Sequence, residues 1–217
     1  MEFNKIIRGA ARAANTEQDV YDILDAGFLC HIAFQHEGQT MMIPTAYGRK
    51  NDVIYIHGSS KNFMLHQLLD GQTACVAVTH VDGLVLARSL FDTSVNYRSV
   101  ILFGTATLVD DAEEKLEGMR LITENIIPGR WSEVSVGTSQ QIDVTMVVKI
   151  NIDRASAKIR TGGPKGDEAI DDKIWSGQIP FFTGIGTPIS DEKFGDNLPL
   201  CPSVQTLIQQ HYPVKNT

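Results

Sequence analysis

The chain has 217 residues, 42% hydrophobic and 21% charged, enough for one well-cored domain with an extension and too few for two full domains. A formal net charge of −7 offers no overall basic field for nucleic acid, so an anionic cofactor needs a local cluster of donors. Three separated cysteines, Cys30, Cys75 and Cys201, with no CxxC among them, point to neither a disulfide framework nor a zinc ribbon, and the first two read as small buried hydrophobes.

Met1–Ala14 lacks the continuous apolar run of a secretion signal, and no stretch approaches the ~20 apolar residues of a membrane span. A soluble cytoplasmic protein with no membrane partner is expected. The first predicted helix is Glu17–Ala26, capped by Thr16 with Asp19 three residues on, striped by Val20, Ile23 and Leu24, and stopped by Gly27. Short β-rich runs follow at Phe28–Phe34, Thr40–Tyr47, Val53–His57, Thr73–His80, Gly83–Arg88 and Tyr97–Val109. Turn signals separate them, including His36-Glu37-Gly38, Lys50-Asn51-Asp52 and Val81-Asp82-Gly83. Two helices interrupt the series, Lys61–Leu69 and Ala112–Ile127, the second ended by Pro128-Gly129. Strands at Thr145–Ile152 and Ala155–Thr161 complete it. Without regular β-α-β alternation, the pattern predicts a mainly β fold with flanking helices, an antiparallel barrel rather than a doubly wound sheet. Gly162-Gly163-Pro164-Lys165-Gly166 reads as a linker, which divides residues 1–165 from a Pro- and Gly-rich extension over 166–217 that wraps the barrel or a dimer partner.

Five segments could carry chemistry. Tyr55-Ile56-His57-Gly58-Ser59-Ser60-Lys61 is a strand running into a Gly-Ser-Ser turn and a helix, which suits a phosphate, although an N-cap accounts for the same serines. Asn96-Tyr97-Arg98-Ser99-Val100 opens a strand with polar donors, or with an ordinary solvated arginine. Pro44, within Met42–Tyr47, marks a strand edge or a bulge that frees backbone groups for a flat ring. Trp131 follows the long helix and either covers a ring or packs at the helix end. Lys158 and Arg160 alternate onto one strand face as a small basic patch, or as a solvated charged face. Dinucleotide, nucleophile-elbow, P-loop and HExxH signatures are missing, and no metal is expected.

Taken in order, these segments resemble the pyridoxamine 5'-phosphate oxidase-related FMN-binding split-barrel family, in its flavin-nucleotide-binding and nitroimidazole-resistance branch. The resemblance rests on Ile43-Pro44-Thr45-Ala46-Tyr47, Tyr55-Ile56-His57-Gly58-Ser59-Ser60, Asp82-Gly83-Leu84-Val85-Leu86-Ala87-Arg88-Ser89, Asn96-Tyr97-Arg98-Ser99-Val100, Pro128-Gly129-Arg130-Trp131 and Ser156-Ala157-Lys158-Ile159-Arg160-Thr161-Gly162. It implies a split barrel that forms a homodimer, with FMN in clefts at the subunit interface. It further implies that Gly58, Ser59, Ser60 and Lys61 hold the phosphate, and that Pro44, Thr45, Ala46 and Tyr47 edge the isoalloxazine ring. Arg98 and Ser99 would meet the cofactor from a barrel strand, and Trp131, Lys158 and Arg160 would reach it from the second subunit. Relatives often carry a basic residue near Phe63, so the phosphate charge would rest more heavily on Lys61. His57 is the candidate proton donor or acceptor. The implied function is an FMN-dependent oxidoreductase that takes electrons from NAD(P)H or a similar donor and reduces a small organic acceptor. The alternatives are a non-catalytic flavin-binding or storage protein and a haem-binding or haem-degrading split barrel.

Overall fold

The computed structural model describes residues 1–4, 12–14, 16–165, 173–191, 193 and 198–211. These form strands β1 (Glu2–Phe3), β2 (Ala13–Ala14), β3 (Leu29–His36), β4 (Gln39–Ala46), β5 (Gly48–Lys50), β6 (Val53–Ser59), β7 (Thr73–Leu86), β8 (Ser94–Leu108), β9 (Thr145–Asn151), β10 (Arg154–Arg160) and β11 (Gly177–Pro180). The helices are α1 (Glu17–Asp25), α2 (Phe63–Leu68), α3 (Ala112–Ile126), α4 (Ser139–Asp143) and α5 (Pro202–His211).

The main sheet path runs β4-β3-β7-β8-β9-β6-β5, antiparallel throughout, and β10 joins the open side of β8. The path ends in consecutive strands, β4 and β5, linked through Tyr47. Its ring is fully buried and its hydroxyl donates to the Leu24 carbonyl. β8 is long enough to serve two layers: Tyr97–Phe103 lies between β7 and β10, and Ala106–Leu108 pairs with β9. At the crossing, a Cβ on Gly104 would sit 1.7 Å from the Asn151 carbonyl oxygen, so only glycine allows the two layers to meet. Inward residues Val76, Val78, Val100, Leu102, Ile54, Ile56, Val148 and Ile150 fill the barrel, closed by Val20, Ile23 and Leu24 of α1 and by Leu65 and Leu68 of α2.

Local signals account for the helix ends. The Thr16 hydroxyl accepts from the Asp19 amide at 3.1 Å while the Asp19 carboxylate accepts from the Thr16 amide at 3.2 Å, a reciprocal cap for α1. Asp111 caps α3 by accepting from the Glu114 amide at 2.8 Å.

Two expectations differ from the structure. Val81-Asp82-Gly83 is a bulge inside one continuous strand and not a turn between two, because β8 pairs with both halves and only shifts register there. α2 begins at Phe63 rather than Lys61, because Asn62 takes the cap by accepting from the Leu65 amide at 3.1 Å. β11 and α5, not foreseen individually, dock the extension at two places. β11 pairs antiparallel with Gly83–Leu86 of β7. The Glu133 carboxylate accepts from the Ser203 amide at 2.7 Å and from the Ser203 hydroxyl at 2.5 Å, capping α5 from outside its own chain segment. Gly166 and Pro213 of the sequence reading lie outside the described residues. None of the described helices is long and apolar enough to cross a membrane.

Candidate functional site: a basic pocket at a sheet edge

Cross-strand register places several of the predicted residues on one sheet face. Directly opposed residues in an antiparallel pair share a face. Pro44 lies opposite His31, His31 opposite Ala77, Ala77 opposite Ile101 and Ile101 opposite Ser156. One row along, Thr79, Ser99 and Lys158 stand side by side, and beyond them Tyr97 faces Arg160. The Arg154 guanidinium lies 5.5 Å from the Phe103 ring centroid on the same face. Pro44, Ala46, Ser99, Lys158 and Arg160 therefore line one surface, which also exposes Leu29, Met42 and Ile101.

At the end of this face lies a cavity of about 980 Å³. Among the described residues, Arg12, Lys158, Arg160 and Lys165 supply its cations, Tyr97 and Phe91 its aromatic surface, and Asp92 its one carboxylate. Asp92 is already engaged, accepting from the Ser89 hydroxyl at 2.8 Å and from no cation. Arg160 is held by neutral acceptors, Asn96 Oδ1 at 2.5 Å and the Gly162 carbonyl at 3.3 Å. Four cations with no ionic partner among the described residues give this cavity a positive lining in a chain of net charge −7, a character that favours an anion over a cation. The aromatic wall suits a planar or sugar-linked group beside that charge.

The Gly58–Lys61 turn is arranged differently. The Ser60 amide donates to the Val144 carbonyl at 2.8 Å, the Lys61 amide to the Ser59 hydroxyl at 3.2 Å and the Asn62 amide to the Ser59 carbonyl at 2.8 Å. The Ser60 carbonyl is hydrogen-bonded to His66 Nε2 at 2.7 Å. The backbone donors expected to cradle a phosphate are thus consumed by the turn, leaving the exposed side chains of Ser60 and Lys61. Gly58 is explained by packing: a Cβ there would lie 2.9 Å from Asn62 and 3.2 Å from Leu65.

The remaining predicted residues separate. Tyr47 is a core residue, and Thr45 points to the opposite face from Pro44, beside buried Cys30. Arg98 is tied to Asp82 by two hydrogen bonds and does not line the cavity. Trp131 is half-buried beyond α3, its amide bound to Glu124 at 2.9 Å. His57 keeps an exposed edge on β6, with no side-chain hydrogen bond among the described residues, and desolvation by its packed surroundings holds its pKa below the ordinary histidine value.

Sequence reasoning reached Lys158 and Arg160 through strand alternation. It missed Arg12, Phe91, Asn96 as a buried site residue, and Lys165. Three of those lie in segments without periodicity, and Asn96 is polar at a strand start where exposure is the default. Asn96 is only 8% exposed.

An antiparallel barrel split into two layers around a shared long strand, with an anion pocket on its outer face, defines a split-barrel class. A family model described as pyridoxamine 5'-phosphate oxidase matches residues 16–159, and the chain belongs to that family. The structure of the FAD and heme binding protein from Mycobacterium smegmatis is 33% identical, covering 90% of this chain and 96% of its own at a TM-score of 0.84. The flavocytochrome Anf3 from Azotobacter vinelandii is also 33% identical, covering 93% and 94% at a TM-score of 0.84. A candidate 5-nitroimidazole antibiotic resistance protein from Bacteroides thetaiotaomicron is 19% identical, covering 68% and 86% at a TM-score of 0.56, a likeness of fold alone. Comparison with curated proteins returns no match.

Proposed function

We propose that this protein binds a flavin nucleotide, FAD in preference to FMN, and serves as a flavin-dependent oxidoreductase. The observation that carries the reading is the basic pocket: among the described residues, four cations against one engaged carboxylate, on the face that also presents Pro44, Ala46 and Ser99. A volume of about 980 Å³ lies at the upper end of small-molecule sites and suits a dinucleotide. FMN, the nucleotide implied by the sequence resemblance, would fill less of it and use fewer of its cations. The full-length likeness to an FAD and heme binding protein supports the same choice.

In this reading Lys158, Arg160, Arg12 and Lys165 hold the phosphates, and Tyr97 and Phe91 shelter the attached nucleoside from water. Bound flavin supplies the electron exchange with a donor such as NAD(P)H and with a small organic acceptor, while the chain supplies orientation and exclusion of water. Leu29, Met42 and Ile101, exposed on the same face, supply the apolar surface that a second copy of the chain would cover in a homodimer. Absorbance of the purified protein, and its bleaching by NADH or NADPH followed by reoxidation with an added acceptor, tests the enzyme against a flavin store. Flavin bound but never reduced would leave the store.

A second reading, haem bound in addition to flavin, has its own support. The two 33%-identical structures are named for both groups, and each covers more of this chain than residues 1–165 contain, so the likeness reaches into the extension. A Soret band after reconstitution with hemin supports haem binding; an unchanged hemin spectrum removes it.

A further inference from the structure

Arg160 lies on β10 opposite Tyr97 of β8, and the residue before Tyr97 is Asn96, a polar side chain only 8% exposed. Asn96 makes two directed contacts. Its Oδ1 accepts from Arg160 Nη1 at 2.5 Å, and its Nδ2 donates to Gln178 Oε1 at 3.1 Å. Gln178 belongs to β11, the strand the extension adds to β7. A chain of three side chains therefore runs from the C-terminal extension to the rim of the basic pocket.

The chemistry of that chain is specific. The two hydrogens of Arg160 Nη1 are directed to Asn96 Oδ1 and to the Gly162 carbonyl, both neutral acceptors. Among the described residues Nη2 and Nε keep their donors available, and no carboxylate there cancels the guanidinium charge. Arg98, near by in the barrel, shows the opposite arrangement. Its Nε and Nη2 are both taken by Asp82 at 3.0 and 2.9 Å, and its charge is neutralised. An aspartate at position 96 would hold Arg160 just as closely but turn it into a second Arg98.

We propose that Asn96, fixed by Gln178, is the positioning residue of the anion pocket. It orients Arg160 without neutralising it, so that the C-terminal extension sets the pocket's affinity for a phosphorylated ligand. This rests on the reading of the pocket as the phosphate site of a flavin nucleotide. It adds that the amide, rather than a carboxylate, at position 96 and the docked strand β11 are requirements of that site. Buried hydrogen bonds to charged groups contribute about 1.5–3 kcal/mol, roughly tenfold or more in affinity.

The test compares FAD with riboflavin, which carries no phosphate, by fluorescence titration of the full-length protein. Arg160→Ala and Lys158→Ala are expected to weaken FAD about tenfold or more and to leave riboflavin within about twofold. Asn96→Asp, which keeps the shape and the hydrogen bond to Arg160, is expected to weaken FAD about tenfold with riboflavin again unmoved. Gln178→Ala is expected to produce a smaller loss, about threefold, in the same FAD-specific direction. A loss shared equally by FAD and riboflavin would mark Asn96 as merely structural and overturn the proposal. Wild-type FAD affinity in Asn96→Asp, with Arg160→Ala impaired, would overturn it while leaving the phosphate site intact. Wild-type affinity in Arg160→Ala and Lys158→Ala would remove the phosphate site and the proposal together. If circular dichroism shows that Asn96→Asp does not fold, Gln178→Ala decides: an FAD-specific loss supports the proposal and unchanged affinity overturns it.

Discussion

Arg98 and Asp82 face each other across the bulge in β7, joined by two parallel hydrogen bonds, Nε to Oδ2 at 3.0 Å and Nη2 to Oδ1 at 2.9 Å. The hydrogen bond to Asp82 is the main reason the Arg98 pKa is raised, so the guanidinium is charged at every accessible pH. Both side chains are about one-third exposed, at 36% and 33%, so solvent screens the pair. A double-mutant cycle with Asp82→Ala and Arg98→Ala, read by urea unfolding, is expected to give a coupling of about 0.2–1 kcal/mol. Zero coupling would contradict a structural role for the pair.

The same bulge receives the extension. A Cβ on Gly83 would lie 2.5 Å from the Ile179 carbonyl oxygen and 3.1 Å from the Pro180 Cα, both backbone atoms. Gly83→Ala is therefore expected to push β11 off β7 and raise hydrogen exchange across Gly177–Pro180, with β3 still protected. Unchanged protection of β11 would show that the strand is not docked there.

Glu133 makes the second anchor of the extension sensitive to acid. Hydrogen bonds from Ser203 hold its carboxyl below the ordinary carboxylate range, helped by Cys201 and Arg130. A lowered folded-state pKa adds stability that is present above the ordinary value and is lost as pH falls through the depressed one. The anchoring of α5 should accordingly weaken on acidification, followed by the Ser203 amide resonance, and Glu133→Gln should abolish that pH dependence. A Ser203 resonance indifferent to acid would contradict the anchor.

His57 provides the other pH signature. Its pKa is lowered from 6.5 by desolvation, so the ring is neutral at pH 7 and free to accept a proton. Because the unfolded chain binds the proton more tightly, this residue reduces stability as pH falls through 6.5 toward the folded value. An NMR titration should give a midpoint below 6.5, and a midpoint above it would contradict the environment described.

Much of this fold is legible locally. The Thr16–Asp19 cap, the Val20/Ile23/Leu24 stripe and the Asp111 cap are written within a few residues of where they act. The continuity of β7 is not, because Asp82-Gly83 has the composition of a turn and only pairing with β8 decides that it bulges. The site divides the same way. Lys158 and Arg160 follow from strand alternation, while Arg12 and Lys165 come from segments with no periodic signal and reach the pocket only through the tertiary fold. The Gly58–Lys61 turn shows the same limit: its sequence is phosphate-like, but the engagement of the Ser60 amide by Val144, distant in the chain, is set by the tertiary fold.

The central claim, that the basic pocket holds the phosphates of a flavin nucleotide, is tested most directly by titrating the purified protein with FAD at low and high salt. Saturable binding at micromolar FAD is predicted, weakened by salt because the pocket is open to screening ions, and weakened about tenfold or more in Lys158→Ala. Failure to bind either FAD or FMN at micromolar concentration, or binding indifferent to both salt and Lys158→Ala, would contradict it.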